Sequence, residues 1–353
     1  MRRLVQLLII YSVCVSCITD DFATDNTPTA AFEVLWQTLD EHYCFFDYKD
    51  IDWQSVHDRY APLISDTMSR AALFDTLSRM TYELRDGHVN LISSMNVSRY
   101  GAWFDDHPMN FSDSLLRKTL GRAEDYRSAG GMQYRILAGD SIGYVRVGSF
   151  ETQPSVTAMS EMLMSFKDCP ALIIDIRSNG GGLLTAAEAL ASSFIKERIL
   201  AGYMQYKTGR GHSDFSTPEP IYIDPSEGVK WIRPVAILTN RRTYSAANAF
   251  VMFLKEQQHV ILVGDDTGGG SGLPFTAELP YGWGIRFSAS PMLDAQKQHT
   301  EGGIAPDIRA DITTTDYQKS EDSILKTARL AINRWIKPHP DKTSFGILPP
   351  LPE

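Results

Sequence analysis

The chain has 353 residues, 43% of them hydrophobic and 22% charged, with a formal net charge of −9. That is an ordinary globular composition, long enough for one large α/β domain or two modest ones. The acidic balance and the lack of a long basic run argue against a nucleic-acid-binding surface, so no nucleic-acid partner is expected.

The first residues read as a targeting device. Arg2 and Arg3 precede an apolar run from Leu4 to Val15 that ends at Ser16-Cys17. A charged start, a short apolar core and a small residue before the break describe a secretory signal, and the run is shorter than the roughly 18 residues of a spanning helix. Val15-Ser16-Cys17 resembles a bacterial lipobox, with Cys14 standing where Leu is usual. It implies a signal peptide over residues 1–17, lipidation at Cys17 and a lipid-anchored protein of the cell envelope, at the outer membrane. Residues 18–29 are polar and read as a tether. Cys44 and Cys169 are too few and too far apart to form a disulfide framework, and neither has a metal-ligand neighbourhood. No metal or cofactor is expected.

From residue 30 to residue 88 the apolar spacing is helical, with Phe32, Leu35, Trp36 and Leu39 marking the first stripe. Residues 89–140 alternate short apolar runs with Gly and Asp and read as an irregular cap or linking subdomain. A rhythm of strand and helix follows over residues 141–336. Strands are predicted at 141–147, 171–176, 235–239 and 260–263, and helices at 155–166, 183–195 and 246–256. Short strands at 284–290 and 308–312 and an amphipathic helix at 323–335 complete it. This alternation predicts an α/β core with both sheet faces covered. Residues 337–353 are Pro-rich and read as an extended tail.

Ser245 stands where the buried-looking strand 235–239 runs into a helix start of small residues, Ala246-Ala247-Asn248. A hydroxyl there faces the free N–H groups and positive dipole of the helix, which can stabilise an anion on an attacked carbonyl. Attack requires a base and a group to orient it. The loop Asp175-Ile176-Arg177-Ser178-Asn179-Gly180-Gly181-Gly182 lacks the spacing of a dinucleotide fingerprint and the Lys-Ser or Lys-Thr of a phosphate loop. Two readings stay open for it, an oxyanion hole or a tight strand-to-helix turn. Of eight histidines, His88 is distinct, in Leu84-Arg85-Asp86-Gly87-His88-Val89-Asn90 directly after the helical segment. By itself it reads equally as a turn histidine or as a base. Asp86, Asp175 and Asp307 read as turn and strand-end carboxylates, with Arg177 as the ion partner of Asp175.

Arg85-Asp86-Gly87-His88, the loop 175–182, Thr243-Tyr244-Ser245-Ala246-Ala247, Gly264-Asp265-Asp266-Thr267-Gly268-Gly269 and Gly303-Ile304-Ala305-Pro306-Asp307 together resemble the tail-specific (C-terminal processing) serine peptidases of family S41. The resemblance covers residues 30–336 and implies a crotonase/ClpP-like ββα core behind a small helical N-terminal domain. Residues 89–140 are too few for the PDZ domain of the processing branch. That branch uses a Ser–Lys dyad, and Gly268, Gly269 and Gly270 stand where its lysine would be; Lys255 lies along the helix after Ser245. The other branch resembles the tricorn core and the interphotoreceptor retinoid-binding modules, and its peptidases use a histidine and a glutamate that match His88 and Glu301. Gly87 stands where the tricorn pattern has a serine. The implied roles are Ser245 as nucleophile, His88 as base, Glu301 holding the imidazolium directly or through an intermediary, and N–H groups of Gly181 or Gly182 and of Ala246 as oxyanion hole. Asn248, where many members have glutamate, and Gly269 and Gly270 are expected to meet substrate. The resemblance implies a peptidase acting on peptides or unfolded proteins; the alternative on the same fold is a non-catalytic module binding apolar ligands or peptides.

Overall fold

The computed structural model describes residues 25–336, so the signal peptide, Cys17 and the Pro-rich tail lie outside the described residues. Four helices come first: α1 (Pro28–His42), α2 (Phe46–Lys49), α3 (Trp53–Tyr60) and α4 (Arg70–Tyr82). Their starts obey local chemistry. Thr27, Asp52 and Ser69 cap the first turns of α1, α3 and α4 with side-chain oxygens, each worth about 1 kcal/mol. A short strand β1 (Asn90–Ile92) follows, then α5 (Ala102–Asp105), α6 (Asp113–Leu120) and the strands β2 (Arg127–Ala129), β3 (Met132–Ile136) and β4 (Gly143–Arg146).

The remaining chain alternates strand and helix: α7 (Val156–Ser165), β5 (Leu172–Asp175), α8 (Leu184–Ser192), β6 (Ile199–Met204), β7 (Glu219–Ile223), β8 (Val235–Thr239), α9 (Ala246–Leu254) and β9 (Val260–Gly264). It ends with β10 (Gly272–Leu279), β11 (Trp283–Leu293), β12 (Ile308–Arg309), α10 (Thr314–Lys319) and α11 (Ser323–Ile336).

Two sheets result. The larger has the order β12-β9-β8-β5-β4-β3-β2, parallel from β12 to β4 and antiparallel through β3 and β2. Its central strands are continuous apolar runs because both faces are covered. Leu172, Ile174, Val235, Ile237, Val260 and Leu262 join one core with α7, α8 and α9. Ile173, Ala236, Leu238, Ile261 and Val263 face the opposite way, into a second core with α6 and α11. Each of the Val, Leu and Ile side chains contributes about 1.5–3 kcal/mol by burial. The strand-end groups are scaffold: Arg177 pairs with Asp175 (2.7 Å) and Asp322 (2.9 Å), and Asp307 accepts the Leu262 N–H at 2.7 Å.

The smaller sheet is antiparallel. β11 is its spine, paired with β10, β1 and β6, and β7 extends β6. Phe32, Leu35 and Leu39 of α1 share a core with Leu279, Trp283, Ile285 and Phe287, so the N-terminal helices are fused to this sheet by packing. Cys44 and Cys169 are both free and buried.

Residues 89–140 differ from the irregular cap expected. β1 belongs to the smaller sheet, and β2 and β3 extend the larger one, joined by Gly130 and Gly131, both at positive φ. Gly-Gly between two short strands is a two-residue hairpin signal, masked here because the flanking strands are short and only Met132 and Tyr134 alternate inward. Strands β6, β7 and β10 were also illegible, being interrupted by Gly or Pro and half exposed.

Candidate active site

Ser245 is the N-cap of α9, reached directly from β8 through a buried turn. Its backbone has φ 59° and ψ −125°, a strained region for a residue with a side chain, costing about 1–3 kcal/mol. Backbone hydrogen bonds hold it there. The Ser245 N–H donates to the Gly269 carbonyl (2.9 Å), the Tyr244 N–H to the Asn179 carbonyl (3.0 Å) and the Gly268 N–H to the Thr243 carbonyl (2.8 Å). Strain of this kind at a strand-to-helix turn pushes the hydroxyl out into the cleft.

His88 comes from the other sheet, two residues before β1, and its Nε2 lies 3.1 Å from Ser245 Oγ. The residue is 4% exposed. Tyr244 packs on the imidazole with centroids 4.9 Å apart, and Trp103 stacks on Tyr244 at 4.2 Å. The backbone beside the ring is fixed by Asp86, whose Oδ1 accepts the His88 N–H at 2.8 Å. Asp86 Oδ2 accepts from Tyr43 Oη (3.0 Å) and Ser288 Oγ (2.9 Å), and Lys49 Nζ approaches it to 3.4 Å.

Glu301 does not touch His88. Its Oε1 pairs with Lys49 Nζ at 2.9 Å and its Oε2 accepts the Ser271 N–H at 2.8 Å, which uses both oxygens. The path from Glu301 toward the imidazole therefore runs through Lys49 and Asp86. His88 Nδ1 makes no hydrogen bond of good geometry and has only the Gly272 backbone beside it, so direct support of the ring by a carboxylate, one of the two forms expected, is absent among the described residues. Lys49 went unread in the sequence. Its signal was a lone cation closing the aromatic run Phe45-Phe46-Asp47-Tyr48.

Burial is the largest influence on this cluster. It drives the His88 pKa down to about 4, with Asp86 acting upward and Arg286 and Lys49 acting downward. Burial, then Asp86, raises Glu301 to about 7 against the pull of Lys49. Burial would lower the Lys49 ammonium, but Asp86 and Glu301 more than offset it and its pKa rises. For Asp86, burial acts upward and is outweighed by Lys49 and His88, so its carboxyl stays below the usual range. Two buried carboxylates share one ammonium, and Glu301 bears the strain of that arrangement.

The two candidate oxyanion glycines divide. The Gly181 N–H is donated to Asn179 Oδ1 at 2.9 Å, so it is already used, and the expectation for Gly181 is corrected. Its role is close approach: a Cβ there would lie 2.7 Å from Ser245 Cβ. Among the described residues the N–H groups of Gly182 and Ala246 meet no carbonyl or side chain. Gly182 is held by a parallel bridge to Phe150, and Ala246 is the first residue of α9, so both donors flank Ser245.

Asn248 lines the cleft but its amide is spent on structure. Its Oδ1 accepts from Thr267 Oγ1 (2.6 Å), and its Nδ2 donates to Thr300 Oγ1 (3.2 Å) and the Thr300 carbonyl (3.3 Å). Gly269 is a crossing point, where a Cβ would sit 1.8 Å from the Glu301 carbonyl, and Gly270 lies against the Tyr244 ring. Gly269 therefore positions Glu301 and Ser245, while Gly270 still borders the cleft. Lys255 Nζ points at Glu256, 3.8 Å away, and is no base for Ser245.

The cleft beside Ser245 is about 260 Å³. Leu183, Leu184, Ala249, Leu273, Pro274 and Met292 supply apolar wall, and Ser271 and Arg286 supply polar groups. Among the described residues no cluster of His, Cys, Asp or Glu could hold a metal ion, and no helix is long and apolar enough to cross a membrane.

A serine at a strained strand-to-helix turn, bonded to a histidine and flanked by free N–H groups, is the constellation of a nucleophilic serine hydrolase. The comparisons narrow the class. Residues 141–310 match the family model of peptidase family S41, and residues 25–81 match that of the tricorn protease C1 domain. A crystal structure of a candidate peptidase from Parabacteroides merdae is 50% identical, covers 87% of this chain and 97% of its own, and superposes with a TM-score of 0.84. The mature CPAF structure complexed with lactacystin is 14% identical with a TM-score of 0.67, over 87% of this chain and 99% of that one, and shares the fold. The chloroplastic C-terminal processing peptidase of Tetradesmus obliquus is 26% identical over 189 residues, 51% of this chain and 38% of that protein. The chain spans between 23% and 38% of the length of the curated relatives it matches. It belongs to peptidase family S41, with the family's α/β fold and a small helical N-terminal region.

Proposed function

We propose that the chain is a serine endopeptidase that cuts peptides or unfolded proteins. The observation that carries this is the 3.1 Å contact between Ser245 Oγ and His88 Nε2 at a strained helix N-terminus. Neutral His88 takes the hydroxyl proton as Ser245 attacks the carbonyl carbon, and it returns that proton to the leaving amine. The Gly182 and Ala246 N–H groups receive the oxyanion of the tetrahedral intermediate. Water then attacks the acyl-enzyme, again with His88 as base. Because burial keeps His88 neutral well below its ordinary pKa, the base form is present throughout the neutral range.

Asp86, Lys49 and Glu301 act as positioning residues. Asp86 fixes the backbone of His88, and Lys49 neutralises Asp86 while tying it to Glu301 and hence to the Ser271 segment bordering the cleft. The tricorn-like serine before the histidine is Gly87 here, and the ammonium takes up the linking position instead.

The test compares the chain with Ser245→Ala and His88→Ala on an unstructured protein, together with phosphonate labelling. Cleavage lost in both variants and labelling lost at Ser245 support the reading. A folded wild-type chain that neither cuts nor labels sinks it and favours a binding module. The leader composition supports a lipid anchor at Cys17 in the cell envelope, facing the periplasm or the surface. Fatty-acid labelling of intact cells, lost in Cys17→Ala, tests that part.

A further inference from the structure

Cations that leave the surface of this molecule are neutralised or hydrogen-bonded. Lys49 holds Asp86 and Glu301, Arg177 holds Asp175 and Asp322, Arg329 holds Asp140, and Arg241 donates to the carbonyls of Trp103, Thr267 and Gly302. Arg286 is the exception. It is only partly exposed, and among the described residues it has no ion pair and no hydrogen bond.

Its position follows from strand register. On β11, Trp283, Ile285 and Phe287 turn into the core shared with the helices, so Arg286 and Ser288 turn to the opposite face. Arg286 sits opposite Asn90 of β1 and opposite Thr276 of β10. Asn90 is two residues beyond His88, which makes Arg286 a diagonal neighbour of the base. Arg286 also lines the cleft that holds Ser245. Ser271 lines the same cleft, and its Oγ is buried and without a partner.

Burial lowers the Arg286 pKa, and Tyr244 and Asp86 act upward on it only from a distance, so a half-desolvated guanidinium with no direct ion pair gains from a ligand that supplies one. A hydroxyl left unpaired beside the same space is a second polar group awaiting a ligand. Guanidinium and hydroxyl together match a carboxylate, which can accept from both. We propose that Arg286 and Ser271 form a carboxylate-binding subsite within the substrate cleft, selecting peptides that carry an acidic side chain near the scissile bond. The apolar wall of Leu184, Ala249 and Met292 takes the neighbouring side chain. The subsite rests on the peptidase reading above.

The experiment uses the whole chain and three peptides around one cleavable bond: one with a Glu near the bond and a free carboxyl end, one with Glu replaced by Gln, and one with the end amidated. KM is measured with the wild-type chain and Kd by anisotropy with Ser245→Ala. The acidic peptide should bind about tenfold or more tightly than its Gln counterpart, a preference that shrinks in high salt. A loss with Gln supports the subsite, and a loss with the amide alone means that the cleft reads the chain end and overturns it. Arg286→Gln should reduce the preference to within about twofold, and Arg286→Lys should keep part of it. Cleavage of all three peptides with equal KM and Kd overturns the subsite alone. Absence of both cleavage and binding by the wild-type chain overturns the peptidase reading and the subsite with it.

Discussion

The two halves that meet at Ser245 and His88 hold their residues by different physics. The nucleophile's half is built on apolar strands: β5, β8 and β9 are buried on both faces, and backbone hydrogen bonds, with the uncharged side chains of Asn240 and Thr243, set the turn at Ser245. The base's half is polar: His88 stands among Asp86, Lys49, Tyr43, Ser288 and Glu301, all with little contact with water. Packing dominates the first half, where the charged groups are the buried Arg177, Asp175 and Asp322 at the strand ends, away from Ser245 in the hydrogen-bond network. The second depends on charges that titrate, so conditions and single substitutions should act there.

The largest effect breaks the comparison at its meeting point. Ser245→Ala and His88→Ala should each lower kcat by about 10⁴-fold or more on an unstructured protein substrate. Ser245→Gly should lose the same activity yet melt no lower than the parent, because glycine tolerates the backbone that serine strains against.

Lys49→Met comes next and isolates the polar half. It leaves two buried carboxylates uncompensated, so unfolding free energy in urea should fall by about 3–5 kcal/mol. Activity should drop about 10–100-fold through kcat, with KM little changed. A variant as stable and as active as the parent would mean that Lys49 is only a space filler. Asn248→Ala, which breaks a bridge between Thr267 and Thr300 on the apolar side, should cost about 1–3 kcal/mol and alter KM far less than a lost substrate contact would.

The pH response is the smallest effect and the most diagnostic. kcat/KM should hold down to about pH 5 and fall by half near the His88 value of about 4, well below an ordinary histidine. Stability carries two opposed signs. His88 has a depressed pKa, so its contribution is intact above about 6.5 and is lost as pH falls toward 4. Glu301 has a raised pKa, so its contribution is intact below about 4.5 and is lost as pH rises through 7. Melting temperatures measured across this range for the parent and for His88→Gln would separate the two.

Legibility in the sequence tracked the same division. β5, β8, β9, α7 and α9 were readable because a strand buried on both faces is a plain apolar run and a helix start follows it. Ser245 stood out because a buried strand runs into a helix start there, whereas His88 stood out only through the order of several short motifs. Lys49 and Arg286 did not stand out. Each lies in a segment whose local pattern is aromatic or alternating, and its importance arises from partners 37 and 252 residues away for Lys49, and, for Arg286, from having no ion pair or hydrogen bond among the described residues. Gly181 was misread because nothing local shows that Asn179, two residues earlier, takes its N–H. Among β1, β2, β6, β7 and β10 no strand is both long and wholly buried, and each depends on a neighbour contributed from elsewhere.

The base enters from before β1 and the nucleophile from after β8, with the cleft between two sheets that no short segment contains. A chain cut in the exposed stretch after β1 would therefore yield two inert pieces, one carrying the histidine with its helices and one carrying the serine. Each piece would also expose apolar surface that the other normally covers, since α1 and β11 share one core. Fused to two binding partners, such pieces would make catalysis itself the reporter of their encounter.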